Sequence, residues 1–215
     1  MKTALKAVVP ESFWQMLKRP YWAAQYWRYR TFGQPYRPAE TTKAHARRER
    51  EGFFDSYCRG KGLDVGYGGD PVVPGVDGWD MENGDATYLK GVADNSYDFV
   101  YASHMIEHMV DPQVALQNWW RVLKPGGHLL LYLPHRDLYE KRKELPSNWN
   151  FDHKHFFLID RDEPPSTIGI VPLLGRSISG YDLVYIKECK EGWTIPDPDQ
   201  HSVGEYSIEA VVRKQ

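Results

Sequence analysis

The chain has 215 residues, of which 41% are hydrophobic, 26% charged and 14% aromatic, with a formal net charge of −2. This composition excludes a disordered or fibrous chain and fits a single soluble globular domain. At this length about 70% of the unfolded surface can be buried, so folding requires neither disulfides nor a structural metal. The two cysteines, Cys58 and Cys189, make no disulfide framework and fit a reducing compartment. No apolar run reaches the roughly 20 residues of a membrane span, and the stretch from Met1 to Pro10, broken by Lys6, offers no convincing cleavage site. A cytoplasmic protein is expected.

Charge is unevenly distributed. Residues 1–60 carry twelve Lys/Arg against five Asp/Glu, and the remainder fifteen against twenty-four. A basic extension can dock on its own acidic body, or attract a phosphorylated substrate, an acidic lipid surface or nucleic acid. Short helices are expected at Glu11–Leu17, stopped by Pro20, and at Tyr21–Arg30, which carries Trp22, Tyr26, Trp27 and Tyr29. Gly33, Pro35 and Pro38 mark a linker, and a third helix is expected from an N-cap at Thr41 or Thr42 towards Phe53 and Phe54. The aromatic cluster admits three readings: packing on the body, a lid over a substrate, or peripheral contact with a membrane interface.

From Gly62 the pattern becomes alternating β and α. Leu63-Asp64-Val65 ends in glycines, Phe99–Ala102 is a second strand candidate, and His128–Leu133 follows a Lys124-Pro125-Gly126-Gly127 turn. Asp111-Pro112 supplies an N-cap and a proline at the first helical position, with Val114, Ala115, Trp119, Val122 and Leu123 at helical spacing. Strand, helix and strand joined this way form a parallel βαβ unit. Tyr181–Lys187 and Ser207–Lys214 have no helix between them and read as an antiparallel pair at a sheet edge. Leu138–Arg176 reads as a long irregular wall of the substrate pocket.

The chemistry starts at Gly62-Leu63-Asp64-Val65-Gly66-Tyr67-Gly68-Gly69-Asp70, where glycines let the backbone approach a ligand. A dinucleotide site wants a third glycine where Pro71 stands. A carboxylate as early as Asp64 repels a pyrophosphate and suits a cationic amino-acid ligand. Val73–Asp80, Gly84-Asp85-Ala86, Asp94–Val100, Ser103–His108 and Arg121–Gly127 follow in order. With these six segments in register, Gly62 to about Pro134 resembles the class I S-adenosylmethionine-dependent methyltransferases of the small bacterial and archaeal kind.

The resemblance implies an α/β, Rossmann-like, doubly wound and mostly parallel sheet with an antiparallel C-terminal edge hairpin and helices on both faces. Residues 61–215 would form the methyltransferase domain and residues 1–60 an N-terminal helical extension or lid. It implies S-adenosylmethionine as cofactor and S-adenosylhomocysteine as product. The cofactor would be held by Asp64, Gly66, Tyr67, Gly68 and Ser103, its ribose by Asp80 with Asp77 as fallback, and its adenine by Asp85 and the Ala86 amide. A carboxylate accepting two vicinal hydroxyls is a sound bidentate contact. Turn chemistry is the competing reading of Asp77 and Asp85. The dozen residues between the loop and Asp80 leave no room for a full first helix plus a strand.

Methyl transfer needs a positioned nucleophile and, for a hydroxyl, a base. His104, at the end of the family's fourth strand, is the leading candidate, with a pocket-shaping role as the competing reading. His135 and His155 are further candidates, with Asp152 and His153 in the same later loop. The spacing His104-x-x-Glu107-His108, completed by a later histidine, has the form of a metal site. Because Glu-His is widespread at this point of the fold without metal, none is expected. The expected activity is O-methylation of a small or carbohydrate-type acceptor. The alternatives are a non-catalytic binding module that keeps the fold, and a nucleic-acid methyltransferase, which the acidic body disfavours.

Overall fold

The computed structural model describes residues 40–215. The expected N-terminal helices, their aromatic cluster, and Arg28, Arg30 and Arg37 lie outside the described residues. In chain order the elements are α1 (Glu40–Arg50), α2 (Phe53–Tyr57), β1 (Gly62–Val65), β2 (Asp77–Trp79), β3 (Tyr97–Ser103), α3 (Pro112–Val122), β4 (Leu123–Pro134), β5 (Phe156–Leu158), β6 (Thr167–Gly169), α4 (Ile170–Ser177), β7 (Tyr181–Cys189) and β8 (Ser207–Lys214).

Six strands form the main sheet in the order β2-β1-β3-β4-β8-β7. The first four are parallel, while β8 runs antiparallel to both β4 and β7, as expected for the C-terminal pair. Among the described residues no helix separates β1 from β2, so the glycine loop crosses directly to the neighbouring strand. The Lys124–Gly127 turn is absorbed as a bulge, with Leu123 paired to Tyr97 and His128 to Phe99.

Alternate strand residues feed two cores, as a period of two requires. Leu63, Val65, Val100, Ala102, Leu129 and Leu131 pack with Leu116 and Trp119 of α3 and Leu173 of α4. On the other face Phe99, Tyr101, Leu130, Tyr132 and Val211 pack with Ala44 of α1 and Phe53 of α2. The N-terminus of α3 is fixed as its sequence predicts. Asp111 Oδ1 accepts the Gln113 and Val114 amides at 3.0 Å each, with Pro112 in the first turn. The α1 helix begins at Glu40 and breaks at Gly52, whose φ of +66° separates it from α2.

A buried ion network ties α1 to the sheet. Arg47 grips Glu205 at 2.9 Å and Glu209 at 3.0 Å, and Arg48 donates to Glu209 at 2.6 Å and to the Tyr101 hydroxyl at 2.8 Å. For residues 40–51 the excess basic charge is therefore spent on the chain's own acidic hairpin. The segment expected to be irregular after Leu138 contains β5, β6 and α4 instead; β5 and β6 pair in parallel as a small second sheet. Among the described residues no helix is long and apolar enough to cross a membrane.

Candidate functional site

The site lies where the parallel strands end. Beyond β1, Gly66 takes φ +74° and donates its amide to the Trp79 carbonyl at 2.7 Å, tying the glycine loop to the end of β2. A Cβ on Gly66 would come within 2.6 Å of Met105 Sδ, so both the conformation and the close approach require glycine. Gly68 and Gly69 also have positive φ. The Tyr67 ring lies against Gly78, where a Cβ would meet it at 2.5 Å.

Asp64 reaches across the loop from β1. Its Oδ2 accepts the Val72 amide at 2.8 Å, while Oδ1 is buried with no hydrogen-bond partner. Burial pushes its carboxyl up to about 7; the Val72 bond and Arg48 oppose this, and Asp70 adds to it. Asp70 is itself held by α1: its carboxylate accepts the Thr42 amide at 3.1 Å and the Thr42 hydroxyl at 2.7 Å.

Asp80 directly follows β2 beside the loop. Its Oδ1 accepts the Met81 amide at 2.8 Å, and its own amide donates to Asn83 Oδ1 at 2.9 Å, closing a one-turn helix over Met81–Asn83. A carboxylate has about four acceptor sites, so this cap leaves capacity for more. Asp77 sits at the opposite end of the same strand, accepting from the Tyr97 hydroxyl at 3.1 Å and near Lys61 at 3.4 Å. Asp85 is exposed and accepts the Thr87 amide at 2.8 Å, the turn chemistry its sequence allows. Ala86 is buried, and its carbonyl accepts Trp119 Nε1 at 2.9 Å. Ser103 ends β3, paired with Tyr132.

His104 is the next residue and the most constrained one. Its φ of +47° lies in the left-handed region, and its amide donates to the Tyr132 carbonyl at 2.6 Å. A non-glycine residue pays about 1–3 kcal/mol for such a conformation, and such strain collects at functional sites. Its Nε2 is hydrogen-bonded to Ser207 Oγ at 2.9 Å and lies 3.7 Å from Glu40 Oε2; Nδ1 lies 3.5 Å from Glu107 Oε1. Tyr132, Tyr139 and Tyr206 ring the imidazole at centroid distances of 5.6, 6.3 and 6.0 Å. Burial lowers its pKa below the usual histidine value, against the pull of Glu40 and Glu107.

The other two candidate histidines have contacts of their own. His135 begins a wide turn over Arg136–Glu140, its Nδ1 accepting the Asp137 amide at 3.2 Å and its Nε2 lying 3.6 Å from Glu188. His155 Nε2 lies 3.4 Å from the Val110 carbonyl. His153 instead points inward. Its Nε2 and that of His108 lie 3.9 and 4.0 Å from the same Glu107 oxygen.

Ser207, Tyr206, Tyr139 and Glu40 escape a reading of the sequence. They are far from His104 along the chain and carry no motif; the antiparallel return of β8, the turn after β4 and the packing of α1 bring them to it. Tyr206 donates its hydroxyl to Glu40 Oε1, which Lys43 also grips at 2.7 Å.

Residues 63–131 match a family model described as a methyltransferase domain. No curated protein matches the chain. Among solved structures it is similar to a protein studied for the conversion of a disulfide bond into a thioacetal group during echinomycin biosynthesis. The identity is 14%, with 80% of this chain and 82% of the other covered and a TM-score of 0.52. A protein from Pyrococcus horikoshii matches at 16% identity, covering 87% and 98% of the two chains with a TM-score of 0.50. A further match, a methyltransferase from Thermotoga maritima described as a possible histamine N-methyltransferase, has 18% identity, coverage of 81% and 99%, and a TM-score of 0.48. The glycine loop tied to the end of β2, the parallel sheet with its antiparallel hairpin, and the family match agree: residues 63–131 carry a methyltransferase domain on a Rossmann-like α/β fold.

Proposed function

We propose that the domain transfers a methyl group to a hydroxyl of a small or carbohydrate-type acceptor, with His104 as the base. The observation that carries this reading is the His104 imidazole at the strand ends, fixed between Ser207 at 2.9 Å and Glu107 at 3.5 Å. Residues of the glycine loop suit the cofactor. Asp64 offers a buried oxygen without a partner, which a cationic amino group would satisfy. Gly66, Gly68 and the amide-rich loop around Tyr67 allow close backbone approach. In this reading Asp80 takes the ribose hydroxyls, Asp85 and the Ala86 amide the adenine, and Ser103 lines the methionine side. The placement of Asp80 beside the loop supports it over Asp77.

When bound, S-adenosylmethionine supplies an electrophilic methyl: the acceptor oxygen bonds to it as the carbon–sulfur bond breaks, its electrons passing to sulfur. His104 removes the hydroxyl proton, and Glu107 and Glu40 stabilise the imidazolium that results. Tyr139 and Tyr206, both buried, hold the imidazole in a rigid aromatic setting. The segment 1–60 is proposed as the cover of the acceptor pocket and residues 61–215 as the methyltransferase domain. Glu40, in the described part of that segment, lies 3.7 Å from His104.

Incubation with labelled S-adenosylmethionine and panels of hydroxyl, amine and oligonucleotide acceptors tests the reading. Transfer to a hydroxyl acceptor is expected. His104→Asn, which tolerates the left-handed backbone, should lower turnover roughly 100-fold or more with little change in melting temperature. Transfer only to amines or nucleic acid overturns the acceptor class, and full activity of His104→Asn removes the base.

A further inference from the structure

We infer that Glu107, His108 and His153 form a binding site for one divalent transition-metal ion, zinc by the character of its ligands. One donor atom from each lies within 4.8 Å of the others. The Nε2 atoms of the two histidines converge on a single carboxylate oxygen, Glu107 Oε1, at 4.0 and 3.9 Å. A tetrahedral ion with bonds of about 2.0–2.1 Å holds its ligands about 3.3 Å apart, so each Glu107–histidine pair needs to close in by about 0.6–0.7 Å and the remaining donor pair by at most about 1.5 Å.

The outer contacts are those a metal site needs. His108 Nδ1 is hydrogen-bonded to Asp152 Oδ2 at 3.1 Å, and His153 Nδ1 to Glu140 Oε1 at 2.6 Å. A carboxylate on the remote ring nitrogen fixes the tautomer that leaves Nε2 free to ligate, and it raises the basicity of the ligand. Glu107 gives the independent signal. Its side chain is fully buried, and neither oxygen has a hydrogen-bond partner among the described residues. A buried carboxylate without hydrogen bonds is expensive unless a charge compensates it. Glu107, Glu140 and Asp152 place three carboxylates around two imidazoles. The fixed cation in contact with them among the described residues is Lys154, 2.8 Å from the outermost, Asp152. A divalent ion balances this group, and two imidazoles with one carboxylate favour a zinc-like metal over magnesium or calcium.

The expectation of no metal rests on how widespread the Glu-His pair is at this point of the fold, not on the geometry around it. The fold adds His153 and both outer carboxylates from the later segment. His104, although 3.5 Å from the same oxygen, is not one of the three ligands. The ion would join the turn after β3, which carries Glu107 and His108, to the loop before β5, which carries His153. That joint lies directly behind His104. The inference rests on ligand geometry and stands independently of the methyl acceptor.

The test uses the full chain, stripped with a chelator and titrated with zinc by calorimetry, then with cobalt as a spectroscopic substitute. One ion per chain is expected, with a rise in melting temperature. Visible cobalt bands of a low-coordinate site and X-ray absorption of the zinc-loaded wild type should report two imidazole ligands. Glu107→Gln and His153→Ala should weaken binding roughly 100-fold or more, and Asp152→Ala, an exposed outer contact, roughly 10-fold. His45→Ala, on the surface of α1, should change nothing. Absence of zinc binding by folded wild type, an oxygen-only coordination shell, or affinity unchanged in folded Glu107→Gln overturns the inference. Should the variants misfold, the wild-type coordination spectrum decides.

Discussion

A carboxyl on a buried strand, with one oxygen on an amide and the other on nothing, keeps its proton until near neutrality. Asp64 is in that position, with its folded pKa at about 7 against an ordinary value of 3.8. Between those values the folded chain holds a proton that the unfolded chain has released, so stability falls as pH rises from about 4 to 7 and is level above. Asp64→Asn lacks this loss. It should match the wild type in urea melts at pH 4 and exceed it at pH 8, by as much as about 4 kcal/mol, while binding S-adenosylmethionine at least roughly tenfold more weakly. An equal stability difference at both pH values would show that Asp64 titrates normally. The groups facing it, Asp70, Arg48 and the Val72 amide, are a reminder of what a sequence conceals. The type of Asp64 and its place before the glycines were readable, but not that its second oxygen lacks a partner. His104 is similar. Its position after β3 was legible, whereas its left-handed backbone and its contact with Ser207, 103 residues away, depend on how β8 returns.

At the scale of elements, α3 does more than cover the sheet. Its Trp119, fully buried, donates Nε1 to the Ala86 carbonyl at 2.9 Å and so fixes the turn proposed to meet adenine. Trp119→Phe should keep the packing but leave that carbonyl without its donor. The expected cost is about 1–3 kcal/mol in urea melts, together with weaker cofactor binding in calorimetry. A loss of stability with unchanged affinity would confine Trp119 to the core. This helix was legible because its cap, proline and apolar spacing agree. By contrast β5 and β6 are three residues each, too short for alternation to register. The α4 helix contains Pro172 and Gly175, residue types that ordinarily interrupt a helix, although a proline in the first turn loses no helical hydrogen bond. The same loop brings His153 to Glu107, so the metal cluster could be read only as a fragment from its spacing.

Across the whole molecule, opposite charges in distant parts of the chain are joined under the sheet. Burial alone would raise the Glu209 carboxyl, but Arg48 and Arg47 hold it at about 2. A depressed carboxyl contributes stability that is present above its unfolded value near 4.5 and lost as pH falls through about 2. The urea midpoint should therefore drop steeply between pH 4.5 and 2. Glu209→Gln should be roughly 3–5 kcal/mol less stable at pH 7, because two buried guanidinium groups lose their shared partner, and should show a shallower acid limb. Parallel limbs would assign acid sensitivity to other carboxyls. The uneven charge was plain in the composition, but its use was not, since the partners of Arg47 and Arg48 lie on β8 and just before it. The mooring of Asp70 by Thr42 has a kinetic side. A glycine loop tied to the first turn of a helix swings aside only after these two hydrogen bonds have released. Association of a ligand beneath that loop then waits on a unimolecular opening, and its observed rate levels off at high ligand concentration instead of rising in proportion.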